Sequence, residues 1–153
     1  MQEKHNKRFE TDGQKSLRAF ARRSSASLAF TGMRIFNAPT GDPMLLDTRT
    51  GLRELQVRFK AFVASPVDTA SFAAETTGSP APYDEFLGGL RVQKRSGETS
   101  LILAADRWLE LSASLRDLES FGQKLTVVDD GGHNHWYCAP ISLIIEADDL
   151  WPG

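Results

Sequence analysis

The amino-acid sequence predicts an α+β domain, a mostly antiparallel sheet with two main helices packed on one face, carrying an internal duplication. Two observations lead there. Short apolar segments of strand-like period recur through the second half between turn residues, and two longer segments carry apolar residues at helical spacing. The chain has 153 residues with 41% hydrophobic content, enough for one ordinary core without metals or disulfides to hold it. Residues 33–153 are therefore expected to form a single domain, and residues 1–32 a disordered basic extension.

The extension is rich in Gln, Lys, Arg and Ser, shows no sustained period of 3.6 or 2, and ends at Gly32-Met33. Residues 33–36 are a candidate true start. Pro39, Gly41 and Pro43 form a turn-rich lead-in to Met44, Leu45 and Leu46. From 51 to 65 two periods compete. Leu52, Leu55, Phe59, Phe62 and Val63 fit a helix, while Leu55, Val57, Phe59, Ala61 and Val63 alternate as a strand would. Length and the polar residues Gln56, Arg58 and Lys60 favour the helix, which Ser65-Pro66 should end.

A short strand is expected over 72–76, closed by Gly78, and a loop with one helical turn over 80–89. Segments 90–94 and 99–104 read as a hairpin around Arg95-Ser96-Gly97-Glu98, with glycine where positive φ is needed. A second turn at Asp106-Arg107 leads into 108–113, giving three consecutive antiparallel strands. Ser114 is a good N-cap with Asp117 at the third helical position, and Leu115, Leu118 and Phe121 form the apolar stripe of the second helix. Gly122 or the residues just after it should end that helix. The chain then extends through 124–128, turns at Asp129-Asp130-Gly131-Gly132 and enters a His-bearing strand. Residues 142–147 form the last strand, too continuously apolar to be an exposed edge. Laying 72–92 on 125–145 matches Phe72 with Leu125, Ala74 with Val127, Gly78 with Gly131, Leu90 with Leu143 and Val92 with Ile145, which suggests a helix-strand-loop-strand unit used twice.

Charge is nearly balanced overall, at −2, but unevenly placed. Residues 1–32 carry seven Lys and Arg against three acids, a net of +4, and the remainder totals −6. From Val128 onward there is no Lys or Arg, while Asp129, Asp130, Glu146, Asp148 and Asp149 are all negative. The single Cys138 forms no internal disulfide, which favours a reducing, cytoplasmic setting. No apolar run approaches the ~20 residues that cross a bilayer. The twin arginine at Arg22-Arg23 is followed by an apolar stretch short of the ~7 to 15 residues of a secretory signal. Nucleic-acid binding is disfavoured because no aromatic platform accompanies the basic residues.

The concentrated chemical signal is Gly132-His133-Asn134-His135. Two histidines one residue apart on an extended segment share a face, since side chains alternate with period two. A zinc-type site would need further ligands from Asp129, Asp130 or Cys138; a small metal-dependent enzyme centred on His133, His135 and Asp130 is one alternative reading, and an uncharacterised structural or regulatory module is another. The letters HNH are adjacent here, whereas the nuclease fold of that name separates its residues widely. No Gly-x-Ser-x-Gly elbow is present, and Cys138 reads as a buried inert thiol. Asp84-Glu85 and Asp148-Asp149 read as solvated pairs. No cofactor and no bound metal are expected. An acidic end with Trp136, Tyr137 and Trp151 beside it suits electrostatic capture of a basic partner, since one-signed charge steers association.

Taken together, Leu109-Glu110-Leu111-Ser112-Ala113, the Leu115/Leu118 helix, Gly132-His133-Asn134-His135 and Ser142-Leu143-Ile144-Ile145-Glu146 resemble the bacterial polymorphic-toxin immunity proteins of family 32. That family's core is a strand, a Leu-rich helix, a His-x-His strand and a closing strand of the Ser-x-x-Leu-Ile-Ile kind. The resemblance covers roughly the final third of the chain. The segments before it lie outside the family core, and the spacing from His135 to Ser142 is tight. The resemblance implies a protein that neutralises a toxin by binding it, without turnover. The expected partner is a toxin with a basic surface, met by His133, His135, Asp129, Asp130, Trp136, Asp148, Asp149 and Trp151.

Overall fold

A computed structural model describes residues 32–126 and 133–148. The expected basic extension, the Asp129-Asp130-Gly131-Gly132 turn, Asp149 and Trp151 fall outside them. In chain order the elements are β1 (Arg34–Asn37), β2 (Met44–Asp47), α1 (Arg49–Ala64), β3 (Thr69–Ala73), β4 (Glu85–Phe86), β5 (Gly89–Lys94), β6 (Ser100–Leu103), β7 (Leu109–Ala113), α2 (Leu115–Lys124), β8 (His133–Trp136) and β9 (Leu143–Ala147). Among the described residues the α+β class holds, with two helices and mostly antiparallel strands. They form two sheets, β4-β1-β2-β9-β8 and β3-β5-β7-β6.

Both helices start where a hydroxyl caps them. Thr48 Oγ1 accepts from the Gly51 amide at 3.0 Å, and Ser114 Oγ accepts from the Asp117 amide at 3.3 Å. Each cap satisfies one of the amides that a helix start leaves unpaired. The first helix buries Leu52, Leu55, Phe59 and Phe62, which is the helical reading of that segment. Ser65 ends it, its amide and hydroxyl both donating to the Phe62 carbonyl. The second helix buries Leu118, Phe121 and Gly122. Leu115, expected in its apolar stripe, is 51% exposed because it stands at the first helical position, before the turn that meets the core. Helix α2 runs through Gly122 to Lys124, so Lys124 is helical rather than extended. Gly122 lies inside because a side chain there would press on the Phe59 ring.

The strand pairing departs from the expected run of three antiparallel neighbours. Strands β5 and β6 do not pair with each other; β7 inserts between them, parallel to β5 and antiparallel to β6. Leu109, Leu111 and Ala113 are almost fully buried, and a strand with that face gains most from a central place. Gly97 does take positive φ, but in a crossing turn rather than a hairpin. The short strand expected over 72–76 lies over Thr69–Ala73, and the loop before Leu90 hides β4, which pairs with β1. The last strand is internal, as its apolar run required: β9 lies between β2, to which it is parallel, and β8.

The registers reveal a repeated unit of two strands, a helix and two strands. The first unit is β1, β2, α1, β3 and β5; the second is β6, β7, α2, β8 and β9. Ile35 faces Leu45 as Leu101 faces Leu111, and Leu45 faces Ile145 as Leu111 faces Val92. Phe72 faces Leu90 as Trp136 faces Leu143. Leu90 with Leu143 and Val92 with Ile145 are therefore true counterparts. The counterpart of Phe72 is Trp136, not Leu125, which instead occupies the helix position of Phe59 when the caps Thr48 and Ser114 are superposed. Each unit places its first two strands in one sheet and its last two in the other. The halves interlock, and one continuous core holds Ile35, Leu45, Leu143 and Ile145 of the first sheet together with Phe72, Leu90, Leu101 and Leu111 of the second.

Candidate functional site

Strand β8 carries the histidine pair. Odd positions of β8 look outward from the first sheet and even positions inward, so His133 and His135 share the outer face, as the period-two rule requires. The same rule removes Trp136 from the surface. It is 8% exposed and meets Phe121 edge to face, with ring centroids 4.9 Å apart. Expected as a partner contact, Trp136 is a core residue. Tyr137, one position on and 78% exposed, is the aromatic offered to solvent.

Registry extends the outer face into two rows. One runs His133, Glu146, Leu46 and Arg34; the other runs His135, Ile144, Met44, Phe36 and Phe86. The apolar stretch of the second row is roofed by Tyr83, whose ring lies 4.8 Å from that of Phe36 and whose hydroxyl lies 3.6 Å from the Met44 sulfur. That roof leaves the His135 end of the row uncovered. There the imidazole stacks on Tyr137 at 4.2 Å between centroids, and its Nε2 lies 3.1 Å from the Asp42 carboxylate. Both members of that pair are partly solvated, so it contributes at most about 1 kcal/mol and serves mainly to orient the ring. Asn134 fixes the strand from its other side. Its amide nitrogen donates to the carbonyls of Lys124 at 2.8 Å and Thr126 at 2.7 Å, tying β8 to the end of α2.

Of the expected partner-binding residues, the structure brings His133 and His135 together on one exposed strand face. Asp148 is exposed immediately after β9, the neighbouring strand. Asp129, Asp130, Asp149 and Trp151 lie outside the described residues. Asp42 and Tyr137 complete the patch. Tyr137 was legible from parity with the histidines; Asp42, ninety-three residues from His135, left no signal in the sequence.

Among the described residues no group of three or more His, Cys, Asp and Glu side chains is placed to hold a metal ion, and the hydrogen-bond partner of His135 is a carboxylate rather than a hydroxyl or thiol. Cys138 lies close in sequence, but burial pushes its thiol pKa up, away from the thiolate that nucleophilic chemistry needs. A polar cavity of about 260 Å³ beside Tyr137 is lined by Thr99, Asp117, Ser120 and Cys138, with the Thr99 hydroxyl donating to Asp117. It supplies hydrogen bonds next to an exposed aromatic ring. Among the described residues no helix is long and apolar enough to cross a membrane. The chain matches no family model, and the search of curated proteins finds no relative.

Proposed function

We infer that the chain is a binding protein of the immunity type, which neutralises a cognate bacterial toxin in the cytoplasm by direct, non-catalytic association. The observation that carries this reading is the outward face of β8. His133, His135 and the exposed Tyr137 stand together there, braced by Asp42, with Glu146 across from His133. An exposed aromatic beside hydrogen-bonding and acidic groups is suited to a basic protein surface, with the ring as anchor and the acids steering the encounter. The resemblance of the final third of the chain to family 32 immunity proteins supports the same reading.

The test is protection. Cells producing the proposed cognate toxin domain should survive when the chain is co-produced. Tyr137→Ala together with Glu146→Lys and Asp148→Lys should lose that protection while the purified variant keeps its helical and sheet circular dichroism. Full protection by the triple variant would remove the β8 face from the interaction.

A further inference from the structure

Among the described residues, the first strand of each unit has its outer edge met by another part of the chain. Each unit's connection between its third and fourth strands folds back on its own first strand. In the first unit this is β4, which pairs with β1; in the second, Pro140 bridges to Leu101 on β6, whose amide donates to the Ala139 carbonyl at 3.1 Å. The edge strand β8 has a side-chain link, from Asn134 to the end of α2, and among the described residues its backbone edge has no backbone partner. Strand β3 differs. The Lys94 amide donates to Asp68 and the Ala74 amide to Gly88, so the even residues of β3 bond to β5 and the odd ones turn their N–H and C=O groups outward. Among the described residues, the outward backbone groups of Thr69, Ser71 and Ala73 have no backbone partner.

Natural edge strands are normally blunted by lysine, proline, inward charge or a bulge. Thr69–Ala73 contains none of these, and its outward residues are small. The geometry points to β3 as a self-association edge, pairing antiparallel with the β3 of a second copy of this chain about a twofold axis at Ser71. In that register Thr69 faces the mate's Ala73 and Ser71 faces its own copy, so every outward N–H and C=O finds a partner. Asp68 falls opposite Ala74, so no like charges oppose each other, and the free edge ends at Ala73 because the Glu75 amide already donates to the Met33 carbonyl at 2.7 Å. The partner has to be self-complementary in this way, because a twofold interface presents the same surface to itself. The outer face beside the edge, a shallow cavity of about 340 Å³ over Thr69, Ser71, Arg91 and Gln93, would continue unbroken across the axis, with the serine hydroxyls in reach of each other. This edge belongs to the second sheet, away from β8, so the inference stands or falls apart from the binding function.

Sedimentation equilibrium of the full chain from about 1 μM to about 1 mM spans the affinities of weak and moderate association. Reversible dimer formation is expected. Thr69→Lys and Ser71→Pro should each abolish it; the proline is tolerated in the monomer because the Ser71 N–H is not used within the sheet. In a Cys138→Ser background, Ser71→Cys should give a disulfide-linked dimer on mild oxidation, whereas Ala70→Cys, which points inward, should not. A chain that stays monomeric over the whole range, or a dimer untouched by both edge variants while their thermal transitions match the parent's, would overturn the assignment. So would failure of Ser71→Cys to cross-link in a protein that does dimerise.

Discussion

At the scale of single residues, the shape of this molecule depends on a few close approaches. Gly88 is one. A Cβ there would collide with the Trp108 indole, whose other neighbour is the Arg91 guanidinium 5.2 Å from the ring centroid. The ring cannot yield without disturbing Arg91, which is held by Asp106 at 2.6 Å and Glu110 at 3.2 Å. Gly88→Ala should cost ~1 to 3 kcal/mol, the range of core overpacking, and calorimetry should show a lower Tm. A melting temperature equal to the parent's would mean the indole has room to move. Cys138 gives a pH prediction. Burial raises its pKa, so at any given pH below that value less thiolate is present than for a free cysteine. Iodoacetamide should label it more slowly than a small thiol at pH 8, with the rate still climbing above pH 9. Labelling as fast as a free thiol would contradict the burial. Parity was the most legible residue-scale rule in the sequence. It paired His133 with His135, and the same alternation assigns Trp136 to the core, so the tryptophan belonged with Leu118 and Phe121 rather than with the acids.

At the scale of elements, local chemistry was readable and pairing was not. Ser114 and Asp117 marked the start of α2, the apolar spacing of residues 52–62 marked α1, and Ser65 closed it, because caps and periodicity are properties of neighbouring residues. Removing the caps should be measurable. Thr48→Ala and Ser114→Ala should each destabilise by about 1 kcal/mol, read as a shift in denaturation midpoint at constant slope; no shift in either variant would show that solvent replaces the hydroxyl. The partners of a strand depend on distant segments. Nothing within 89–113 indicates that β7 passes between β5 and β6, or that β9 lies beside β2 a hundred positions away. The two-residue β4 was hidden for a related reason: Glu85 and Phe86 form a strand only because β1 offers them an edge. Apolar matching found the right counterparts where the repeat was close, at Leu90 and Leu143, and slipped at Phe72, since the loops joining the third and fourth strands of the two units differ in length.

At the scale of the whole molecule, the exchange of strands between units makes the two sheets one cooperative structure. The first unit cannot complete its sheet without β9, nor the second without β5. Leu45 and Leu111 are equivalent core residues in different sheets, and Leu45→Ala or Leu111→Ala should each cost ~2 to 5 kcal/mol. Hydrogen exchange should then show protection falling together in both sheets, whichever leucine is changed. Loss confined to the sheet that carries the substitution would mean that the sheets open separately. This rigid frame is what gives β8 a defined outer surface. Its even residues are anchored inward by Trp136 and Asn134, which leaves His133, His135 and Tyr137 in one outward row.

The central claim is that this row, with its acidic neighbours, captures a basic protein. Calorimetric titration of the proposed toxin partner into the full chain, at about 0.05 M and about 0.5 M salt, measures it directly, because surface charge attraction is screened over this range. Stoichiometric binding is predicted, weaker at the higher salt and weakened severalfold more by Tyr137→Ala with Asp148→Lys. Absence of binding, or an affinity indifferent both to salt and to those substitutions, would contradict it.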